Sequence, residues 1–213
     1  MRKLFNPYSP LMCFLRRVGD IILLNLLWVI CCVPIVTIGV STGAMNAVAQ
    51  ELQADKCDGV IKRFFHAVRR DWKQTAVMGL IFLAAGAVIW LDVSSLLVGS
   101  FPGYLLVVMV AAPLVVIFAA DYAFPLLAHF DNTIGGTLKN ALLLAVSNLP
   151  RTILMSLVNL IPVGLLLFWP EAFWYSVGFW VLIGGALLCY INTRLLRPVF
   201  EKLEPPQENA EEN

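Results

Sequence analysis

A chain of 213 residues that is 60% hydrophobic and only 14% charged lies far from soluble domains, which average roughly 45–50% apolar and about 25% charged residues. Its formal net charge of +1 conceals an asymmetry, because bases fall in a few segments while Glu201, Glu204, Glu208, Glu211 and Glu212 load the C-terminus. A soluble globular domain is excluded, an integral membrane protein is indicated, and no nucleic-acid partner is expected.

Arg16 and Arg17 precede a long apolar run with no small-residue cleavage site near its end, so a retained N-terminus is expected rather than a secretory signal. From Val18 to Ala54 the chain is too long for one helix and barely long enough for two. A spanning helix needs about 20 apolar residues, and the segments 18–34 and 37–53 have about 17 each, roughly 25 Å at 1.5 Å per residue. The positive-inside rule favours a hairpin here. If the chain turns near Pro34 to Gly39, Arg2, Lys3, Arg16 and Arg17 share a side with Lys56, Lys62, Arg63, Arg69, Arg70 and Lys73. A full double crossing and a re-entrant hairpin both satisfy this. Segment 37–53 is weakly apolar and rich in small residues, so burial against other helices is expected. Gly39 and Gly43 form a small-xxx-small pair suited to close helix packing, though Gly39 could equally shape the turn.

Residues 59–73 read as a basic amphipathic helix at the lipid headgroups. Ile61, Phe64, Phe65, Val68 and Trp72 recur at intervals of three and four, and Lys62, Arg63, Arg69, Arg70 and Lys73 occupy the remainder. Asp58 and Gly59 supply a cap and turn. Four further membrane segments follow at 75–97, 104–128, 152–169 and 173–196. Between the second and third of these, Thr137 to Leu149 is a short amphipathic piece placed after turn residues Asp131, Asn132, Gly135 and Gly136. Residues 204–213 form an acidic tail expected to be disordered. Lys139, Arg151, Arg194, Arg197 and Lys202 complete the fifteen bases, and all fall on one side. The expected fold is all-α: a polytopic helical membrane bundle of about six membrane segments, 1–203, with N- and C-termini cytoplasmic.

Charges within spans are costly and are functional candidates. Asp121 lies about two turns inside its span at roughly 1.5 Å per residue, where it serves structural pairing or contacts a substrate or proton. Asp20 begins the first segment next to Arg16 and Arg17, close enough to the interface to pair with them or to meet water. Asn25, Asn46 and Asn159 are deeper and suit interhelical hydrogen bonds. Cys13, Cys31, Cys32, Cys57 and Cys189 are too dispersed for a disulfide framework, lack metal-ligand spacing with His66 or His129, and read as free, buried thiols. Cys31 and Cys32 are expected on different sides of a helix. No metal set, nucleophile elbow or phosphate-binding loop is present, so a non-enzymatic protein without a cofactor is expected.

The run LLNLLWVICCVPIVTIGVSTGAMNAV, Leu23 to Val48, resembles the N-terminal signature of the YesL family of small bacterial membrane proteins. Three further stretches resemble family motifs in order: DGVIKRFFHAVRRDWKQ, LKNALLLAVSNLPRTIL and INTRLLRPVFEKLEP. The chain departs from the family at Val40, where Pro is common, and at Met45 and Asn46, where aromatics are common. The resemblance implies encoding beside carbohydrate-uptake ABC transporters and a role in oligosaccharide import, with no catalytic or ligand residues to carry over. The expected function is an accessory component associated with permease subunits of a carbohydrate ABC importer in the bacterial cytoplasmic membrane. Two other readings stay open: an independent small-solute transporter or channel using Asp121, and a membrane sensor or regulator acting through the basic helix. The lipid bilayer is the expected environment.

Overall fold

The computed structural model describes residues 10–54, 59–98, 103–130 and 132–203, all of whose regular elements are helical. The acidic tail 204–213, Cys57 and the Asp58 cap lie outside the described residues. Helix α1 runs Pro10–Cys31. Pro10 occupies its first position, where a missing N–H costs nothing. The helix stops short of Pro34, and Thr37 Oγ1 satisfies its end by donating to the carbonyls of Cys31 (2.6 Å) and Pro34 (2.7 Å). A 3-10 turn at Ile35–Thr37 leads into α2, Ile38–Gln53. Because α1 ends at Cys31, Cys32 belongs to the turn and not to a helix face, and its Sγ lies 3.1 Å from Ser41 Oγ.

Most of α2 is buried, from Gly39 to Leu52, against α1, α3, α4 and α8. Its small residues are the reason. Ala44, Ala47 and Ala49 leave room for neighbouring backbones, and Ile21, Leu24, Val60, Phe64, Ala186 and Cys189 close around them.

Helix α3, Val60–Val98, is one unbroken element of 39 residues. The sequence suggests a boundary near Gln74, where charge gives way to oil, but no proline interrupts the backbone there. Gly59, at φ +90°, provides the turn into it. The buried stripe of its first half is Val60, Phe64, Ala67 and Thr75, rotated away from the apolar face expected from the sequence. Phe64 is fully buried and Val68 is partly so, whereas Ile61, Phe65 and Trp72 point outward among the bases. α2 occupies the Phe64 side, so that face does not rest on lipid.

Helix α4 is Gly103–His129, and α5 is Ile134–Ser147, capped by Thr133, whose Oγ1 accepts from Gly136 N at 3.3 Å. Gly135 and Gly136 are therefore the first turn of α5 rather than loop residues. α5 packs on α4 through Thr137, Ala141 and Ala145. Helix α6, Leu149–Phe168, follows a break at Asn148, and Pro150 sits in its first turn. Helices α7, Pro170–Phe179, and α8, Gly185–Phe200, are joined through a π-helical turn at Trp180–Gly184. A second core of Met78, Tyr122, Leu126, Met155, Leu196 and Phe200 unites α3, α4, α6 and α8.

Among the described residues four helices are long and apolar enough to cross a membrane: Val60–Asp92, Ala111–His129, Leu149–Phe168 and Pro170–Phe200. Their outward residues include apolar side chains such as Val88, Leu91, Leu167 and Phe168, as a lipid-facing surface requires. Against the expected count of six, the described residues thus hold four such helices, and α1 and α2 are not among them. Arg16, Arg17 and Asp20 lie inside α1 and shorten its apolar portion. The turn of the hairpin rests against the middle of α3, beside Thr75 and Gly79, and α3 continues for another 19 residues (98 − 79), about 29 Å at 1.5 Å per residue.

Candidate functional site

Two close approaches fix α2 and α1 in the bundle. A Cβ on Gly39 would lie 2.5 Å from both Gly79 Cα and Thr75 O, and one on Gly43 would meet the Thr75 side chain. Gly39 therefore serves α2–α3 packing as well as following the turn. Gly79, its counterpart, stands alone in an apolar run and carries no pattern that singles it out.

Asn25 is fully buried. Its Nδ2 donates to the carbonyls of Trp180 (3.1 Å) and Val181 (2.7 Å), and its Oδ1 accepts from Ala186 N at 2.7 Å. A π-turn shifts the backbone ladder by one residue and frees polar groups, and Asn25 bridges both sides of that defect. Gly185 lets α1 come close: a Cβ there would stand 3.0 Å from Asn25 Oδ1 and from the Trp28 ring.

Asn46, although buried, donates to Thr42 O of its own helix at 2.9 Å, so the expected interhelical bond is not the one it makes. α1 is tied to its neighbours instead by Arg17, whose Nη1 donates to Leu52 O (2.6 Å) and to Tyr190 OH (3.0 Å). Asp20 is partly buried nearby, outside that pair of bonds. The expectation of uniformly buried thiols fails at Cys13, which is exposed, whereas Cys189 is buried.

Asp121 and Asn159 come together, and Asn25 lies elsewhere. Ser156 Oγ donates to Asp121 Oδ2 at 2.6 Å, and Asn159 Nδ2 donates to Asp121 Oδ1 at 2.7 Å. Asn192 Nδ2 in turn donates to Asn159 Oδ1 at 2.7 Å. This line of polar groups crosses from α4 through α6 to α8. It ends at Asn192 Oδ1, a buried acceptor with no partner among the described residues. The sequence singles out Asp121 and Asn159 but not Ser156 or Asn192, which become distinctive only when three helices share a level. Beneath the line, Tyr122 OH lies 3.0 Å from Thr152 Oγ1.

At the end of the bundle that carries the bases, a cavity of about 220 Å³ is lined by Gln50, Gln53, His129, Thr193, Arg197 and Glu201 among others. Its polar groups largely engage one another. His129 Nδ1 is 3.0 Å from Gln50 Oε1, its ring stacks on Phe200 at 4.9 Å, and Gln53 Nε2 donates to Tyr190 O at 2.7 Å. Arg63 stands 3.4 Å from Glu51 and Arg70 pairs with Asp71. Lys62, Arg69 and Lys73 are exposed, with Lys73 Nζ 5.6 Å above the Trp72 ring. Among the described residues no group of three His, Cys, Asp or Glu side chains is arranged to hold a metal ion.

Residues 21–93, which hold the hairpin and most of α3, match the family model described as "Protein of unknown function, DUF624". A protein of Bacillus subtilis (strain 168) described as "Uncharacterized protein YesL" is 29% identical over 189 residues, covering 87% of each chain. No solved structure gives a significant match.

Proposed function

From its similarity to the DUF624 family model and to YesL, we propose that this chain is a YesL-like protein, a non-enzymatic, multi-pass accessory protein of the bacterial cytoplasmic membrane that associates with the permease of a carbohydrate importer. The importer comes from the family resemblance. The observation that carries an accessory role is the length of α3. Its 39 residues measure about 58 Å at 1.5 Å per residue, nearly twice a hydrocarbon core of about 30 Å. Trp72 and Trp90 are both exposed on it and lie 18 residues apart (90 − 72), about 27 Å. Interfacial tryptophans at that spacing suit the two membrane boundaries. The turns before Trp72 then project beyond the lipid and present Ile61 and Phe65 beside Lys62 and Arg69. Exposed apolar groups outside lipid mark a docking surface.

In this placement all the described bases are cytoplasmic. Gly79 is seven residues past Trp72 (79 − 72), so the α1–α2 hairpin dips about 10 Å into the bilayer and returns. Its turn is apolar and exposed at Val33, Ile35 and Val36, as immersion in lipid requires. Both termini share the cytoplasmic side.

Purification of the tagged protein from native membranes in mild detergent, followed by mass spectrometry, tests the association. Permease subunits are expected with the wild type and depleted with Ile61→Glu/Phe65→Glu, and their absence from the wild type overturns the proposal. The Asp121–Asn159 contact favours a second reading as an independent transporter. Substrate flux through proteoliposomes containing this protein alone, lost in Asp121→Asn, would replace the accessory role.

A further inference from the structure

Asp121 lies eight residues from the end of α4 (129 − 121), about 12 Å inside it. An ionised carboxylate among apolar helices carries a desolvation penalty that a neighbouring positive charge would offset. The charged groups on elements packed against α4 are Glu51 on α2, Lys62 to Lys73 and Asp92 on α3, Lys139 on α5 and Arg151 on α6, and α8 adds Arg194 and Arg197. Among the described residues none of these bases forms an ion pair with Asp121. Its partners are the neutral donors Ser156 and Asn159.

The direction of every bond in the line follows from the charge at its head. A carboxylate only accepts, so Asn159 must present Nδ2 to it and Oδ1 to Asn192. Asn192 must then donate, which leaves its own Oδ1 stranded, in a residue only 8% exposed. The links of 2.6 and 2.7 Å are direct hydrogen bonds with no gap for a metal ion. A proton needs no gap.

We propose that Asp121 is a reversible proton-binding site whose state is read out at Asn192. A hydronium ion from the aqueous phase gives up one proton and leaves as water, and the O–H bond formed on the carboxylate cancels its charge. The acid then donates to Asn159 Oδ1, both amides turn over, and Asn192 presents Nδ2 where it had presented Oδ1. A carboxyl on α4 thereby exchanges an acceptor for a donor on α8, two helices away. This holds whether or not a permease is bound.

Infrared difference spectroscopy of the purified protein in liposomes, stepped in pH, tests it. A carbonyl band of a protonated carboxylic acid is expected to appear reversibly and to vanish in Asp121→Asn. Ser156→Ala and Asn159→Leu each remove one partner of the carboxyl, so each should move that band in frequency, and they keep the test decisive if Asp121→Asn fails to fold. Asparagine side-chain bands should change with the same pH midpoint, and that coupled change should be lost in Asn192→Leu. A spectrum without an Asp121-dependent band at any pH where the protein is folded, a band unmoved by both partner substitutions, or a response to sodium that is independent of pH would each overturn the proposal.

Discussion

Gly39 on α2 and Gly79 on α3 meet backbone to backbone, and neither position has room for a methyl group: a Cβ on Gly79 would lie 2.5 Å from Gly39 Cα. Backbone atoms cannot rotate out of the way as a flexible side chain can. Gly39→Ala and Gly79→Ala should therefore each destabilise the protein by about 1–3 kcal/mol through overpacking. Gly86→Ala serves as a control, because a methyl group there would have nothing within 4 Å of it, and alanine should be favoured by about 0.5–1 kcal/mol. Melting in detergent, followed by size-exclusion chromatography, compares the three. Equal melting points would sink the assignment of the α2–α3 contact.

Asn25→Leu removes the bridge across the π-turn: the partly buried carbonyls of Trp180 and Val181 each lose a donor, and the buried N–H of Ala186 loses its acceptor. Leaving that N–H unsatisfied costs about 1–3 kcal/mol. Loss of the folded protein, or fast amide exchange around Ala186, is expected. Slow exchange there in the variant would show that the turn stands without Asn25.

Thr152 and Tyr122 should not be equivalent. Thr152 Oγ1 donates to Ala145 O at 2.8 Å, so the Tyr122 hydroxyl is the donor between them. Tyr122→Phe leaves the bond to Ala145 intact and should cost about 0.5–1.5 kcal/mol. Thr152→Val strands a buried phenol as well, and should cost more. A smaller loss for Thr152→Val in thermal unfolding would contradict this bond direction.

The membrane depth of the hairpin is open to chemistry. With the native cysteines replaced, a cysteine at Val36 should resist an impermeant maleimide from either side of the membrane, while one at His66 should react only from the cytoplasmic side. Labelling of residue 36 from outside intact cells would establish a full double crossing.

The helices are legible in the sequence because apolar length and the distribution of bases are one-dimensional signals. Asp121 is legible for a related reason, since a charge inside an apolar run has few explanations. Its companions are not. Ser156 and Asn192 could each have bonded to their own helix, as Asn46 does to Thr42 O, and only the register of α4, α6 and α8 sets them in line. The continuity of α3 is hidden because a change in polarity mimics a boundary that the backbone does not make. The π-turn lies in WVLIG, an ordinary apolar string whose defect is visible only beside Asn25.

α3 is a single rod with its fulcrum at Gly79. A push on the turns around Phe65 has no hinge in which to dissipate, so it must swing the half that lies in lipid or slide the glycine contact on which the hairpin rests. Whatever touches the turns around Phe65 is mechanically connected to the far end of that rod.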